Sequence, residues 1–139
     1  MQKNVGISKE FNVFELQEAI IKKNVLKANQ IVQYFDSNPK AAPAIANISI
    51  LFSFFSKVLL FQYLKSKQLP ADAKNVGVSD FSLRNVQQAA QAYSAGQVRA
   101  MISHLRQADL QAKGIEGGKM DEGQVMKELV FRMIHPTAA

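Results

Sequence analysis

Apolar positions recur every three or four residues along most of the chain, and short polar capping residues cut the pattern into helical segments. In residues 12–35, Val13, Leu16 and Ile20 share one face, while Val25, Ala28, Val32 and Phe35 share another with Ile31 beside them. Asn12 followed by Glu15 has the spacing of a capping box, and Asn24 offers a cap for a second helix. Asp36, Ser37, Asn38 and Pro39 end the pair. Isolated helices shorter than about 12 residues are marginal in water, so this hairpin must dock on the rest of the fold.

The next segment, residues 44–64, carries one charge, Lys57, and four phenylalanines, Phe52, Phe54, Phe55 and Phe61. Its length would fit a bilayer. Against a membrane span, Asn47, Ser49, Ser53, Ser56 and Gln62 interrupt it, and Ser49, Ser53, Ser56 and Lys57 fall within one arc of about 100°. A long central helix buried on most sides, with serines permitting close approach of another helix, accounts for the pattern. Lys65, Lys67 and Pro70 close it.

Residues 71–76 read as one or two helical turns stopped by Gly77, and Ser79 caps a helix over 80–93. Residues 94–113 follow, with Val98, Met101, Ile102, Leu105, Ala108 and Ala112 on one face. Asp109 projects within about 20° of Val98, into that apolar face. A carboxylate buried there needs a partner, and Lys113, one turn on, and Arg84, from the preceding helix, are the two candidates for a structural ion pair. Residues 114–120, with Gly114, Gly117 and Gly118, read as a flexible loop. Asp121 with Gln124 then repeats the capping-box spacing, opening a last helix lined by Val125, Met126, Leu129, Val130, Met133 and Ile134 and ended by His135 and Pro136.

With no strand pattern and no internal repeat, the expectation is an all-α fold, a single orthogonal or bundle-like domain of about six helices. The totals agree. A chain of 139 residues with 47% hydrophobic and 20% charged residues can bury a globular core without disulfides, and it has no cysteine. The absence of cysteine suits a reducing compartment. The net charge of +6 is uneven: residues 1–70 hold nine lysines against Glu10, Glu15, Glu18 and Asp36. These lysines form no tight run and no aromatic residues interleave them, so solubility accounts for them without nucleic acid.

Function classes can be narrowed further. Residues 73–93 have the helix, glycine, helix order of a helix-turn-helix DNA-binding regulator, with Ser82, Arg84, Asn85, Gln87 and Gln88 as the base readers. Arg84 is the sole cation of that reading helix, which starts at Asp80 and leaves few phosphate anchors. A plain helical corner is the simpler reading. Neither a Gly-x-x-x-x-Gly-Lys-Ser/Thr loop nor a Gly-x-Gly-x-x-Gly turn is present, and His104 and His135 lack a third ligand at metal spacing. No paired carboxylates or Ser, His and acid grouping can be assigned, so no catalytic residue, metal or cofactor is expected. A pocket around Met101 and Met126 would offer a small ligand only apolar contacts.

One resemblance spans almost the whole chain. Phe14-Glu15-Leu16-Gln17-Glu18-Ala19-Ile20, Lys27-Ala28, the Phe-rich segment, Gly77-Val78, Phe81, Leu83-Arg84, Tyr93-Ser94, Leu105, Asp109-Leu110, Lys113-Gly114 and Lys127-Glu128-Leu129 follow one another in a fixed order. In order and spacing they resemble the C-terminal domain of the bacterial DNA polymerase III delta subunit, from about Val5 to Ile134. The Phe-x-Leu-x-x-Ala start and the Asp-x-x-x-Lys-Gly element are its distinctive parts.

That resemblance implies a cytoplasmic component of the clamp loader, which places the sliding clamp on primed DNA for the replicative polymerase. The implied role is the collar: residues 12–135 as a helical oligomerisation domain, 1–11 as the remnant of an interdomain linker, and 136–139 as a tail. Partners would be the gamma/tau and delta prime subunits. The sliding clamp and primer-template DNA would be reached only through an N-terminal region outside this sequence or through the assembled complex. Met1 would then not be the native start, and the hairpin of residues 12–35, at the start of the collar, would pack on residues 44–64. Phe52, Phe54, Phe55 and Phe61 could supply the subunit contact or could all be core, and both alternatives stand at this point.

Overall fold

The computed structural model describes residues 10–40, 42–115 and 120–136; most of the expected linker and tail, and the glycines of the 114–120 loop beyond Gly114, lie outside them. Among the described residues the fold is all helical: α1 Val13–Ile21, α2 Val25–Ser37, α3 Ala44–Ser66, α4 Ala73–Val76, α5 Asp80–Ala92, α6 Ala95–Lys113 and α7 Glu122–Ile134. The seventh helix beyond the expected six is α4, a single turn.

Side-chain caps set most of the starts. Asn12 accepts from the Glu15 amide at 3.0 Å while Glu15 returns a bond to the Asn12 amide, and Ser94 and Gln97 make the same reciprocal box at α6. Asn24, Asp72 and Ser79 cap α2, α4 and α5 singly. The box expected at α7 forms by half: the Gln124 amide donates to Asp121 at 3.0 Å, but the Gln124 side chain turns to Glu128. At α3 the N-cap position is Pro43, which has no side-chain acceptor. A long-range contact replaces it, as the Ala44 amide donates to Glu122 Oε1 at 3.0 Å from the first turn of α7.

Four helices end alike. Asn24 N–H donates to Ala19 O, Leu69 N–H to Leu64 O, Val78 N–H to Ala73 O, and Ile115 N–H to Leu110 O, each a bond spanning five residues back. This ending requires a left-handed residue just before the donor. Gly77 and Gly114 supply it at φ 84° and 74°, but at the ends of α1 and α3 the position falls to Lys23 and Gln68, at φ 56° and 58°.

The 23-residue α3 is the hub, and its buried face carries Asn47, Ile48, Leu51, Phe55, Val58 and Phe61. By length and hydropathy α3 could cross a membrane, but here this face is packed against α6, α5, α1 and α7. α6 runs antiparallel to α3: its start, at Ala95 and Arg99, lies beside Tyr63 and Ser66. At the opposite end of α3, Ala44 meets the start of α7.

The hairpin sits differently from its expected place. α1 touches α3 and α5, but α2 finds its main seat on α7 rather than on α3. α7 presents α2 with a continuous apolar face, Val125, Met126, Leu129, Val130, Met133 and Ile134, and Lys127 reaches Asp36 of α2 at 3.1 Å. Gly123 makes the approach possible, since a Cβ at that position would overlap the Asp36 carboxylate. Val25, expected on the inner face, is instead exposed at the first turn of α2.

Candidate subunit interface

Asp109 and its two potential partners are resolved first by placement. Lys113 Nζ lies 2.9 Å from Asp109 Oδ2, one turn along α6. Arg84 does not join them: it is exposed on α5, and α5 and α6 pack on α3 rather than broadly on each other. Nor is Asp109 in the core, because its side chain is 30% exposed. On the observed α6 the buried residues are Val98, Met101, Leu105, Ala108 and Ala112, and Asp109 sits at the edge of that stripe, where its carboxylate leans out to Lys113 and water.

The four phenylalanines of α3 divide. Phe55 is fully buried and Phe61 nearly so, which removes both from any interface and corrects the grouping of all four. Phe54 is half-buried, its ring edge-on to Phe55 at 5.0 Å. Phe52 is 39% exposed. The periodicity of the segment hid this split, because α3 is apolar around nearly its whole circumference and offers no polar face to mark the outside.

The outer side of α3 is therefore an apolar surface that no other described residue covers. Ile45, Phe52, Leu60 and Tyr63 are all exposed along it, Tyr63 to 54%. Toward α6 it opens into a groove of about 580 Å³ lined by Leu59, Leu60, Tyr63, Ala95, Arg99 and Ile102. On another side, between α1, α3 and the α4–α5 corner, lies a second concavity of about 780 Å³ with Phe14, Phe54, Val78 and Phe81 in its walls. Phe14 and Phe81 are largely exposed there. The detectable signal for both was that each falls off the buried stripe of its own amphipathic helix.

The helix-turn-helix geometry does not form. Its first helix would be α4, only four residues long, and a single turn cannot brace a second helix in a groove of DNA. Among the described residues no group of three His, Cys, Asp or Glu side chains gathers to hold a metal. His135 packs against Phe131 with ring centroids 4.8 Å apart, while His104, on α6, has its pKa lowered by partial burial and by the Arg132 cation.

The comparison that decides the family is with the family model described as DNA polymerase III delta subunit, C-terminal domain, which matches residues 10–133. The chain belongs to this family. No curated protein matches the sequence significantly. Among solved structures, the delta-family fold seen here is similar to the Bacillus subtilis DNA clamp loader delta protein (YqeN), with a TM-score of 0.71 at 20% identity. The match covers 89% of this chain but 36% of that protein, so the delta domain spans about a third of its relative's length.

Proposed function

We propose that residues 12–135 are the oligomerisation module that holds a delta subunit within the clamp loader, by helix packing and without chemistry of its own. The observation that carries this reading is the uncovered apolar side of α3, where Ile45, Phe52, Leu60 and Tyr63 lie exposed on a domain whose core is already filled by other residues. An exposed apolar patch of this kind on a small domain marks a contact with another macromolecule. Family membership supports the setting, association with other clamp loader components, and the neighbours assigned in this reading are gamma/tau and delta prime. Contact with the sliding clamp and with primer-template DNA falls to the rest of the subunit and to the assembly, and the place of action is the bacterial cytoplasm.

Co-expression of the full-length subunit with gamma/tau and delta prime, followed by size exclusion, tests the proposal. Co-elution of all three is expected, with loss of the subunit from the complex when this domain is deleted. A deletion that leaves the complex intact would refute it.

A further inference from the structure

The outer face of α3 has a finer order than a patch. Ile45, Ser49, Phe52, Ser56, Leu59 and Tyr63 are spaced by four, three, four, three and four residues, the repeat of a coiled-coil seam. The buried face of the helix, with Ile48, Leu51, Phe55 and Val58, lies about 100° round from it. α3 thus carries a second seam beside its buried face, and the 19 residues from Ile45 to Tyr63 extend it over about 27 Å. Large side chains at Ile45, Phe52 and Tyr63 act as knobs. Ser49 and Ser56 between them leave holes that admit the knobs of a second helix.

Charge restricts what that second helix can be. From Ser37 to Ala71 the sequence contains no Asp or Glu. Arg99 and Arg106, seven residues apart on the face of α6 that borders the seam, are exposed on either side of Ile102 along the helix. Lys67 sits over the Tyr63 ring at 5.9 Å. The one carboxylate of α6, Asp109, is engaged by Lys113. Apart from Glu122, which caps the start of α3, the charges named along the seam are cations, and two copies of it face to face would set like charges together.

We propose that this seam receives one helix from a different clamp loader subunit, aligned along α3 and carrying Asp or Glu beside its own apolar stripe so as to meet Arg99, Arg106 and Lys67. The proposal rests on the oligomerisation reading above and adds the face, the shape and the charge of the partner.

The test uses the full-length subunit, titrated against a complex of the remaining clamp loader subunits by a fluorescence or calorimetric binding assay. Two variants are compared with the unmodified subunit: Phe52→Ala with Tyr63→Ala, and Arg99→Glu with Arg106→Glu. All four residues are exposed or half-exposed, and an unshifted melting curve confirms that each variant folds. Each pair is expected to weaken binding by about tenfold or more, with the charge-reversed pair also losing the salt dependence of the unmodified subunit. If the unmodified subunit binds and neither variant differs from it, the seam is overturned while the oligomerisation reading stands. If the unmodified subunit does not bind, the oligomerisation reading itself fails. Self-association of the subunit, or its binding to anionic phospholipid vesicles, that is abolished by the Phe52 and Tyr63 pair would assign the face to another occupant and also overturn the proposal.

Discussion

The Tyr93 hydroxyl donates a hydrogen bond of 2.6 Å to the carbonyl of Ile20, joining residues 73 positions apart at the end of α1. The ring is buried, Lys23 lies 4.6 Å from its centroid, and the Tyr93 carbonyl accepts from Gln62 of α3 at 2.8 Å. One residue thereby ties α1, α3 and the α5–α6 corner. Tyr93→Phe keeps the ring and removes the bond, and it should lower unfolding stability by about 1 kcal/mol, read from denaturant curves.

Burial also pushes the Tyr93 hydroxyl up to about 12 from its ordinary 10.0. A raised pKa means the folded state keeps a proton that the unfolded state releases, so this contribution is intact below pH 10 and is lost as pH climbs toward 12. Stability should fall across that window, and the fall should be shallower in Tyr93→Phe. Identical alkaline slopes for the two proteins would contradict the buried hydroxyl.

Gly123→Ala should destabilise the domain by about 1 to 3 kcal/mol, despite the better helix propensity of alanine, because the new methyl displaces the Asp36 carboxylate and with it the contact to Lys127. Asp36→Ala removes the atoms in conflict. In a double-mutant cycle the two substitutions should therefore cost less together than the sum of their single effects.

At Gln68 the helix ending demands a left-handed backbone from a residue with a side chain. Gln68→Gly relieves that strain and should raise stability by about 1 kcal/mol, seen as a higher Tm. Lys23→Gly should gain less, since it also removes the cation above the Tyr93 ring.

Asp109→Asn should cost less than about 1 kcal/mol, because the pair with Lys113 is partly exposed and surface ion pairs contribute little. The larger loss expected of a carboxylate buried in the apolar face should not appear in its thermal melt.

The all-helical architecture was legible because capping residues and 3.6-residue periodicity are local signals, and Asn12, Asn24 and Ser79 start helices where the sequence places them. What escaped were relationships between distant segments. That α2 would choose α7 over α3 depended on Gly123 clearing space for Asp36, a contact no periodicity encodes. Asp109 was misplaced because a helical projection assigns direction to a side chain but not the distance to the neighbouring helix. The split among Phe52, Phe54, Phe55 and Phe61 required knowing which arc of an almost wholly apolar helix its neighbours leave bare.

The seating of α2 on α7 has a consequence for how the chain comes to be folded. The hairpin emerges before the rest of this domain, yet Asp36 finds Lys127 across 91 residues and the start of α3 is capped by Glu122 across 78. Such distant closures are slow relative to local helix formation. Within the domain α1 and α2 must wait, loosely held, until α7 is released, and a nascent chain halted before α7 would leave the apolar face of α2 open to chaperones and proteases.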